Sequence, residues 1–304
     1  MKGWNLIILI TFTMGSNPVI FGQADTLPRL SLSKIAHVNQ SDTYITFPGD
    51  IGNLEPLTFE TNINPNFVIR QREDSRMMAV LTPQFMVRML NKPSYPIRTP
   101  SYIPQISLYY LLGTKELEHH TTIFGRIAHH SNGQDGEYYL EDENGAKEIN
   151  LQTGNFSTNF FEIGFIDTSY GFNKEAIRFI KSSIEIHPRS WMSKEQHGSY
   201  SGLRWRTSFI AYSLPWDKAL FSKSRTARFS VKAETTWLFD SVNDWNFFNA
   251  KRFIGTLGFY YHPEFLEDIG FFARFYHGQD YYNIHFQHQL SMIQFGLMTE
   301  ILRF

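Results

Sequence analysis

Residues 126–136, RIAHHSNGQDG, place two histidines, a serine, an asparagine and a glycine at consecutive positions. On a β-strand, residues two apart share a face and neighbours point to opposite faces. We therefore expect His129 and Ser131 on one face and His130 and Asn132 on the other. A serine becomes an effective nucleophile when a histidine within hydrogen-bonding reach can take its proton. The spacing thus raises the hypothesis of a Ser131–His129 pair for acyl transfer.

The same stretch allows two other interpretations. Ser, Asn and Gly each favour turns, so that the stretch also fits the plain beginning of a loop. A metal site on His129 and His130 is disfavoured because consecutive strand side chains diverge. The choice between nucleophile and loop depends on what the face of His129 and Ser131 looks out upon.

The composition is typical of a transmembrane β-barrel. Aromatic residues make up 16% of the 304 residues, with 28 Phe and 15 Tyr, yet the mean hydropathy is only −0.29. Such barrels alternate lipid-facing apolar with lumen-facing polar side chains and carry aromatic rings at both membrane interfaces. A net charge of −1 argues against a nucleic-acid partner. The absence of cysteine excludes disulfides and thiolate chemistry.

The first residues have the pattern of a secretory signal peptide. Lys2 precedes the apolar run Leu6–Phe12, and the small Gly22 precedes a plausible cleavage point. A helical membrane anchor is the alternative, but the run is short for a span and is broken at residues 15–18. We expect a signal peptide over residues 1–22.

Beyond residue 22 the chain shows no shift in composition, which predicts one domain. We expect an N-terminal segment over 23–56, with a first strand near Tyr44–Phe47, and a barrel over 57–304. Its runs alternate, as in Leu203–Ala211, where apolar residues oppose Arg204 and Arg206. A soluble sandwich shows the same period. The barrel is favoured by the export signal, by the terminal Phe304 and by long polar inserts at 134–156 and 188–201.

In a barrel the apolar face looks at lipid. Ile127 and Ile123 share a face with Ser131, whereas Arg126 lies on the other, so that His129 and Ser131 are expected on the lipid side. In the next predicted strand, STNFFEIGF, the glutamate marks the lumen and Asn159 shares the outer face. Histidine, serine and asparagine are therefore predicted to meet on one outer surface.

This combination suits acyl transfer at a membrane. A third group must fix the tautomer and orientation of the base. A carboxylate is costly at a membrane surface, whereas the neutral Asn159 amide can accept the imidazole N–H. Gly133 allows its backbone N–H to approach a developing oxyanion closely.

At these residues the chain resembles the outer-membrane phospholipase A family, twelve-stranded antiparallel barrels that hydrolyse phospholipid acyl esters. The family motif His-x-Ser-Asn-Gly stands here as residues 129–133, and its asparagine at the start of the next strand matches Asn159. SYPIRTPSYIPQISLYYL, from Ser94, and FYHGQDYYNIHFQHQLSMIQFGLMTEILRF, from Phe275, are also similar. The resemblance implies that Ser131 is the nucleophile, His129 the base, Asn159 the orienting residue and Gly133 an oxyanion donor.

The resemblance also implies a Ca²⁺ site between two barrels of a homodimer. The family uses a backbone carbonyl just after the motif glycine, here Gln134, and two serine oxygens, whose positions hold Asn155 and Tyr95 with Ser94 adjacent. Asparagine still offers an oxygen, whereas a phenol is a rare calcium ligand. The acids of the insert either supply a reworked site or are solvated loop residues; they are Asp135, Glu137, Glu141, Asp142 and Glu143.

The sequence therefore predicts an outer-membrane phospholipase A of a Gram-negative bacterium, acting on membrane glycerophospholipids with Ca²⁺ as cofactor. The alternative from another class is a non-catalytic barrel, either a channel or a structural protein. The lumen discriminates between the two. A channel needs a continuous wet pore, whereas a small phospholipase barrel should be filled by a polar network that includes Arg204, Arg206, Lys232 and Glu234.

Overall fold

The structure, a computed structural model, describes residues 32–70, 72, 75–94, 96–112, 119–141, 143–170, 177–215, 228–263, 265–266 and 269–299. The predicted signal peptide, Tyr95 and the terminal Phe304 lie outside the described residues.

The described residues are mostly strands. They form helix α1 (Leu32–Asn39) and the strands β1 (Thr43–Thr46), β2 (Ile51–Gly52), β3 (Leu57–Ile63), β4 (Phe67–Ile69), β5 (Met77–Leu90), β6 (Ser101–Leu112), β7 (His119–Ser131), β8 (Tyr139–Glu141), β9 (Lys147–Ile149), β10 (Ser157–Tyr170), β11 (Ile177–Ile186), β12 (Leu203–Pro215), β13 (Arg228–Leu238), β14 (Phe253–His262), β15 (Ile269–Gln279) and β16 (Gln289–Thr299). Short 3₁₀-helices occupy Arg189–Trp191, Lys194–Gln196, Ala250–Arg252 and Asn283–Gln287.

Twelve antiparallel strands close into a barrel. The order around the wall is β1, β3, β5, β6, β7, β10, β11, β12, β13, β14, β15 and β16, and β16 pairs back to β1. The short strands β2 and β4 pair with β16 and β5, and β8 pairs with β9 in a separate hairpin. Closure leaves the wall without an open edge, as a strand-built membrane span requires. The fold predicted from the sequence is confirmed, and its first strand begins at Thr43, beside the predicted Tyr44–Phe47.

Burial along the wall follows the predicted alternation. In β12, Trp205 and Phe209 are exposed on the outer surface, whereas Ser208 and Ile210 are buried toward the lumen. The outer surface carries many other exposed apolar side chains, among them Ile106, Leu108, Ile123, Ile163, Phe165 and Phe295. An apolar outer wall around a polar interior is the arrangement of an outer-membrane barrel.

Helix α1 lies inside the barrel and closes one end. Its residues Leu32, Ile35 and Ala36 are buried against wall residues such as Phe124 and Ile166. The Arg126 guanidinium donates to the Asn39 carbonyl at 2.7 Å and so caps the C-terminal end of the helix. Within the described ranges, no helix is long and apolar enough to cross a membrane.

The other end of the barrel is closed by the long loops. Tyr138, Phe156, Tyr200, Ile284 and Phe286 form an apolar cluster between the loops that follow β7, β11 and β15. Long loops mark the extracellular end of such barrels. We call this cluster the outer cap.

Charged side chains fill the lumen between α1 and the outer cap. Glu185 accepts from Arg204 at 3.2 Å and from Arg206 at 2.6 Å. Lys232 lies 3.5 Å from Glu234, measured from nitrogen to oxygen. A cavity of about 310 Å³ remains beside them. The predicted polar network is therefore present, and apolar clusters lie at both ends of the barrel.

The most deeply buried part of this network predicts a large effect on stability. The Arg88 guanidinium bonds Glu60 at 2.6 Å and Asp280 at 2.7 Å, and all three side chains are almost fully buried. Arg88→Met leaves both carboxylates short of a partner, which should lower the free energy of unfolding by about 3 kcal/mol. Urea unfolding followed by tryptophan fluorescence measures the change.

Arg98→Met is the matched control. Arg98 bonds Glu55 at 2.7 Å, and the Arg98 side chain is 15% exposed, but the Glu55 carboxylate is open to solvent, with its side chain 59% exposed. Exposed pairs contribute little, so that this variant should stay within about 1 kcal/mol of the wild type. Equal losses in the two variants would contradict the role given to burial.

Candidate active site on the outer face of the barrel wall

The predicted chemical residues lie on paired strands. In the register of β7 and β10, Asn159 stands opposite His129, and Ser157 stands opposite Ser131. His129, Ser131 and Asn159 are half-buried on the outer side of the wall, whereas His130 is buried on the inner side. The structure therefore brings the three residues to one outer surface near the extracellular rim. It separates His129 from His130, which rules against a metal site shared by that pair.

One hydrogen bond determines the tautomer of His129. The Nδ1 atom of His129 lies 2.8 Å from Oδ1 of Asn159. The amide orientation is fixed from the other side, since Nδ2 of Asn159 donates to the Trp191 carbonyl at 3.2 Å. Oδ1 must then accept, so that Nδ1 carries the proton. This tautomer leaves Nε2 of His129 as the basic atom.

Ser131 is placed by the backbone of β7. It lies two residues beyond His129 on the same outer face, opposite Tyr102 of β6. Its hydroxyl makes no hydrogen bond to any part of the chain that the structure describes. Catalytic hydrogen bonds are often long without substrate and shorten in the complex. The barrel wall thus places the serine and its candidate base on the same face, two residues apart, as acyl transfer needs.

The turn after Ser131 presents a free backbone amide. Gly133 is exposed and has φ +67°, and a side chain there would also approach the Tyr102 ring, with 3.3 Å from Cβ to Cε2. Glycine adopts this left-handed conformation without strain. No group among the described residues accepts from the Gly133 N–H. An unpaired amide beside a nucleophile is the usual donor to an oxyanion.

Asn132 holds this turn from inside the wall. Its side chain is buried, its Nδ2 donates to the Gly154 carbonyl at 2.8 Å, and its Oδ1 accepts from the Phe156 and Gln134 amides at 3.0 and 3.3 Å. The two arms of the insert are thereby joined at its base. Sequence reasoning placed Asn132 on the inner face but missed this role, which the preference of asparagine for bonding nearby backbone could have suggested.

A second loop holds the start of β10. Met192 forms an isolated antiparallel bridge with Thr158, and Ser193 N–H donates to the Ser157 carbonyl at 3.1 Å. The Gln196 side chain is fully buried. With its amide oriented to satisfy both atoms, its nitrogen donates to the Ser157 carbonyl and its oxygen accepts from the Ser157 N–H, each at 3.2 Å. We call the segment 188–196 the clamp loop. Asn159 is therefore fixed by a loop whose sequence carries no recognisable motif.

His187 supports the same strand from the lumen. Its Nδ1 lies 3.0 Å from the Thr158 hydroxyl and its Nε2 lies 2.9 Å from a Glu185 carboxylate oxygen. Burial lowers the pKa of His187. In the neutral ring, Nε2–H donates to Glu185 and Nδ1 accepts from Thr158. The strand that carries Asn159 is thus held on both of its sides.

Two of the predicted calcium ligands, Gln134 and Asn155, lie at the rim beside this site. Asn155 N–H donates to the Gly136 carbonyl at 2.9 Å, which brings the segment of Asn155 alongside that of Gln134. The third predicted ligand, Tyr95, lies outside the described residues. The Gln134 carbonyl oxygen and the Asn155 side-chain oxygen accept no hydrogen bond from the described part of the chain. Two unpaired neutral oxygens on adjacent segments fit the donor types that calcium prefers.

Comparison with known proteins gives matches by structure only. No family model matches the chain, and no curated protein sequence matches it. Outer membrane phospholipase A from Escherichia coli matches with a TM-score of 0.53 and 11% identity, over 89% of this chain and 98% of that chain. An active-site mutant of it, with asparagine changed to alanine, matches with a TM-score of 0.52 and 11% identity, over 86% and 91%.

A third solved structure is the Salmonella typhi outer membrane phospholipase dimer with bound calcium. It matches with a TM-score of 0.48 and 11% identity, over 80% of this chain and 78% of that chain. The two matches above a TM-score of 0.5 cover most of both chains. The resemblance predicted from the sequence is thus confirmed for the fold: the chain is a twelve-stranded outer-membrane β-barrel with the fold of outer membrane phospholipase A.

Proposed function

We propose that this protein is a phospholipase A that hydrolyses acyl esters of glycerophospholipids at the outer surface of its barrel. The observation that carries the proposal is the contact of 2.8 Å between His129 and Asn159, with Ser131 on the same lipid-facing surface. The fold of the E. coli phospholipase and the asparagine named in its active-site mutant support the same assignment.

In the proposed reaction each of these groups has one role. The Ser131 oxygen attacks the ester carbonyl carbon while Nε2 of His129 takes the hydroxyl proton. The Gly133 N–H donates to the oxyanion. The lysophospholipid leaves with the proton from His129, and water, activated by the same histidine, then releases the fatty acid from Ser131. Throughout, Oδ1 of Asn159 accepts a hydrogen bond from Nδ1–H of His129 and so stabilises the imidazolium that forms.

Ca²⁺ is part of the proposal, and the Gln134 carbonyl and the Asn155 side-chain oxygen would hold it. A bound calcium ion would supply positive charge near the developing oxyanion. Gln134 directly follows Gly133, whose N–H is the proposed oxyanion donor. A calcium ion bound by the Gln134 carbonyl would therefore also fix the turn that carries the Gly133 N–H. The remaining ligand would come from Tyr95 or Ser94 of a second barrel, which makes the active form a homodimer.

A direct assay tests the enzyme against the non-catalytic barrel. The purified protein should release fatty acid from phospholipid in detergent micelles and should conduct no ions in planar bilayers, since ion-paired side chains fill much of its lumen. Steady ion conductance without any ester hydrolysis would assign the protein to the channels.

Calcium removal tests the site at the rim. Excess chelator should abolish most of the activity and lower the dimer fraction in detergent, and added calcium should restore both together. Asn155→Ala should raise the calcium concentration needed for half-maximal activity, because one oxygen ligand is lost. Lys147→Gln, in the same insert, is the control, because the exposed Lys147 side chain is cationic and cannot bind calcium, and it should leave that concentration unchanged. Full activity of a strictly monomeric form in chelator would contradict the calcium and dimer parts of the proposal and leave Ser131, His129 and Asn159 untouched.

A further inference from the structure

The loop between β13 and β14, residues 239–252, projects aromatic side chains at the extracellular rim. Phe247 is 46% exposed and Phe248 is 86% exposed. Their rings pack edge to face, with 5.2 Å between centroids. Large apolar side chains are seldom left this exposed without a surface that covers them. We call this segment the aromatic loop.

The aromatic loop continues the lipid-facing surface of the barrel. The Phe247 ring lies 6.0 Å from Trp237 and 5.9 Å from Phe239, and Phe239 lies 6.4 Å from Trp205. Trp205 and Trp237 belong to the outer faces of β12 and β13, opposite the lumen residues of the same strands. The row of rings therefore runs without a break from the membrane-facing wall to the tip of the loop.

A buried arginine makes the loop rigid. Arg252 is 4% exposed and donates to the carbonyls of Asn246 at 2.8 Å and Leu238 at 2.9 Å, and also to the carbonyls of Asp240 and Trp245. Asn243 N–H donates to the Gly198 carbonyl at 2.7 Å and ties the loop to its neighbour. The exposure of Phe248 is thus a property of a fixed loop, because the backbone on both sides of it is held in place.

We propose that the aromatic loop inserts Phe247 and Phe248 into the outer leaflet of the bilayer and anchors this side of the barrel at the headgroup boundary. Lipid is the occupant that fits best because the rings extend a surface that already faces lipid. Aromatic rings concentrate at this depth of membranes. The exposed Lys251 ammonium lies 5.9 Å from the Trp245 ring, where it can meet lipid phosphate while its stem stays on the rings.

The absence of cysteine makes a clean labelling experiment possible. An environment-sensitive fluorophore is attached to Phe248→Cys, to Phe209→Cys as the lipid-facing reference, and to Glu143→Cys on the insert after β7. Each labelled protein also carries Ser131→Ala, so that the proposed hydrolase activity cannot degrade the lipid, and is folded into phosphatidylcholine vesicles. The label at position 248 should emit further to the blue than the label at 143, should be quenched by nitroxide-labelled lipid and should be shielded from iodide.

The opposite pattern, with iodide quenching at position 248 equal to that at 143 and no quenching by nitroxide lipid, would overturn the proposal. So would a blue shift that disappears when the protein is diluted in lipid, since that outcome assigns the loop to contacts between copies of the chain. Heat-dependent gel mobility shows whether each variant is folded, and Phe247→Cys replaces Phe248→Cys if it is not. The experiment is independent of the proposed hydrolase activity.

Discussion

Ser131→Ala should reduce the release of fatty acid by roughly 10⁴-fold or more, because in the proposed reaction the Ser131 oxygen forms the acyl intermediate. The barrel should be unaffected, since the Ser131 hydroxyl makes no hydrogen bond within the described residues and its side chain is only half-buried. Phospholipid hydrolysis in micelles, followed by titration of the released acid, measures the effect. A lipid-chain sulfonyl fluoride should label the wild type at Ser131 and leave the variant unlabelled.

The chain offers a close control in Ser291→Ala. Ser291 also lies exposed on the outer face near the rim, and its hydroxyl is 2.7 Å from Nδ1 of His277, half-way around the barrel from the site. Its backbone N–H donates to the Asn53 side chain at 2.7 Å, so that this amide is not free to bind an oxyanion. Ser291→Ala should keep full activity. Wild-type rates in Ser131→Ala, or an equal loss in both variants, would reject Ser131 as the nucleophile.

The contrast between these two serines shows what sequence pattern can and cannot supply. The strand period was enough to predict that His129 and Ser131 share the lipid side, because Ile127 and Arg126 mark the two faces of β7. The same rule predicted the outer position of Asn159 from Glu162. The face on which a strand residue lies depends only on its position relative to its neighbours in the same strand. One strand is therefore enough to predict it.

The parts that hold the site could not be predicted in this way. The clamp loop bonds Ser157 and Asn159 through backbone groups and the Gln196 amide, contacts that depend on a loop path with no periodicity. Helix α1 has only eight residues, and its place inside the lumen depends on apolar wall residues from many strands. Such contacts join segments far apart in the chain, so that they follow from the closed barrel as a whole.

The asparagine of the site allows the second test with a large expected effect. Asn159→Ala removes the acceptor 2.8 Å from Nδ1 of His129, which frees the ring to adopt the other tautomer or to turn away from Ser131. We expect a loss of roughly 10²- to 10⁴-fold in kcat, with little change in KM, because the lost bond orients the base and contacts no lipid. Initial rates over a range of phospholipid concentrations in mixed micelles separate the two constants.

Asn159→Asp distinguishes orientation from simple loss of packing. The carboxylate can still accept the imidazole proton but can no longer donate to the Trp191 carbonyl, and it places a charge beside the membrane. Its rate should therefore lie between those of the wild type and Asn159→Ala. Labelling of Ser131 by the sulfonyl fluoride should follow the same order, since that reaction needs the same base. Equal rates for the alanine and aspartate variants would mean that Asn159 acts only as a structural residue of β10, and the triad would reduce to Ser131 and His129.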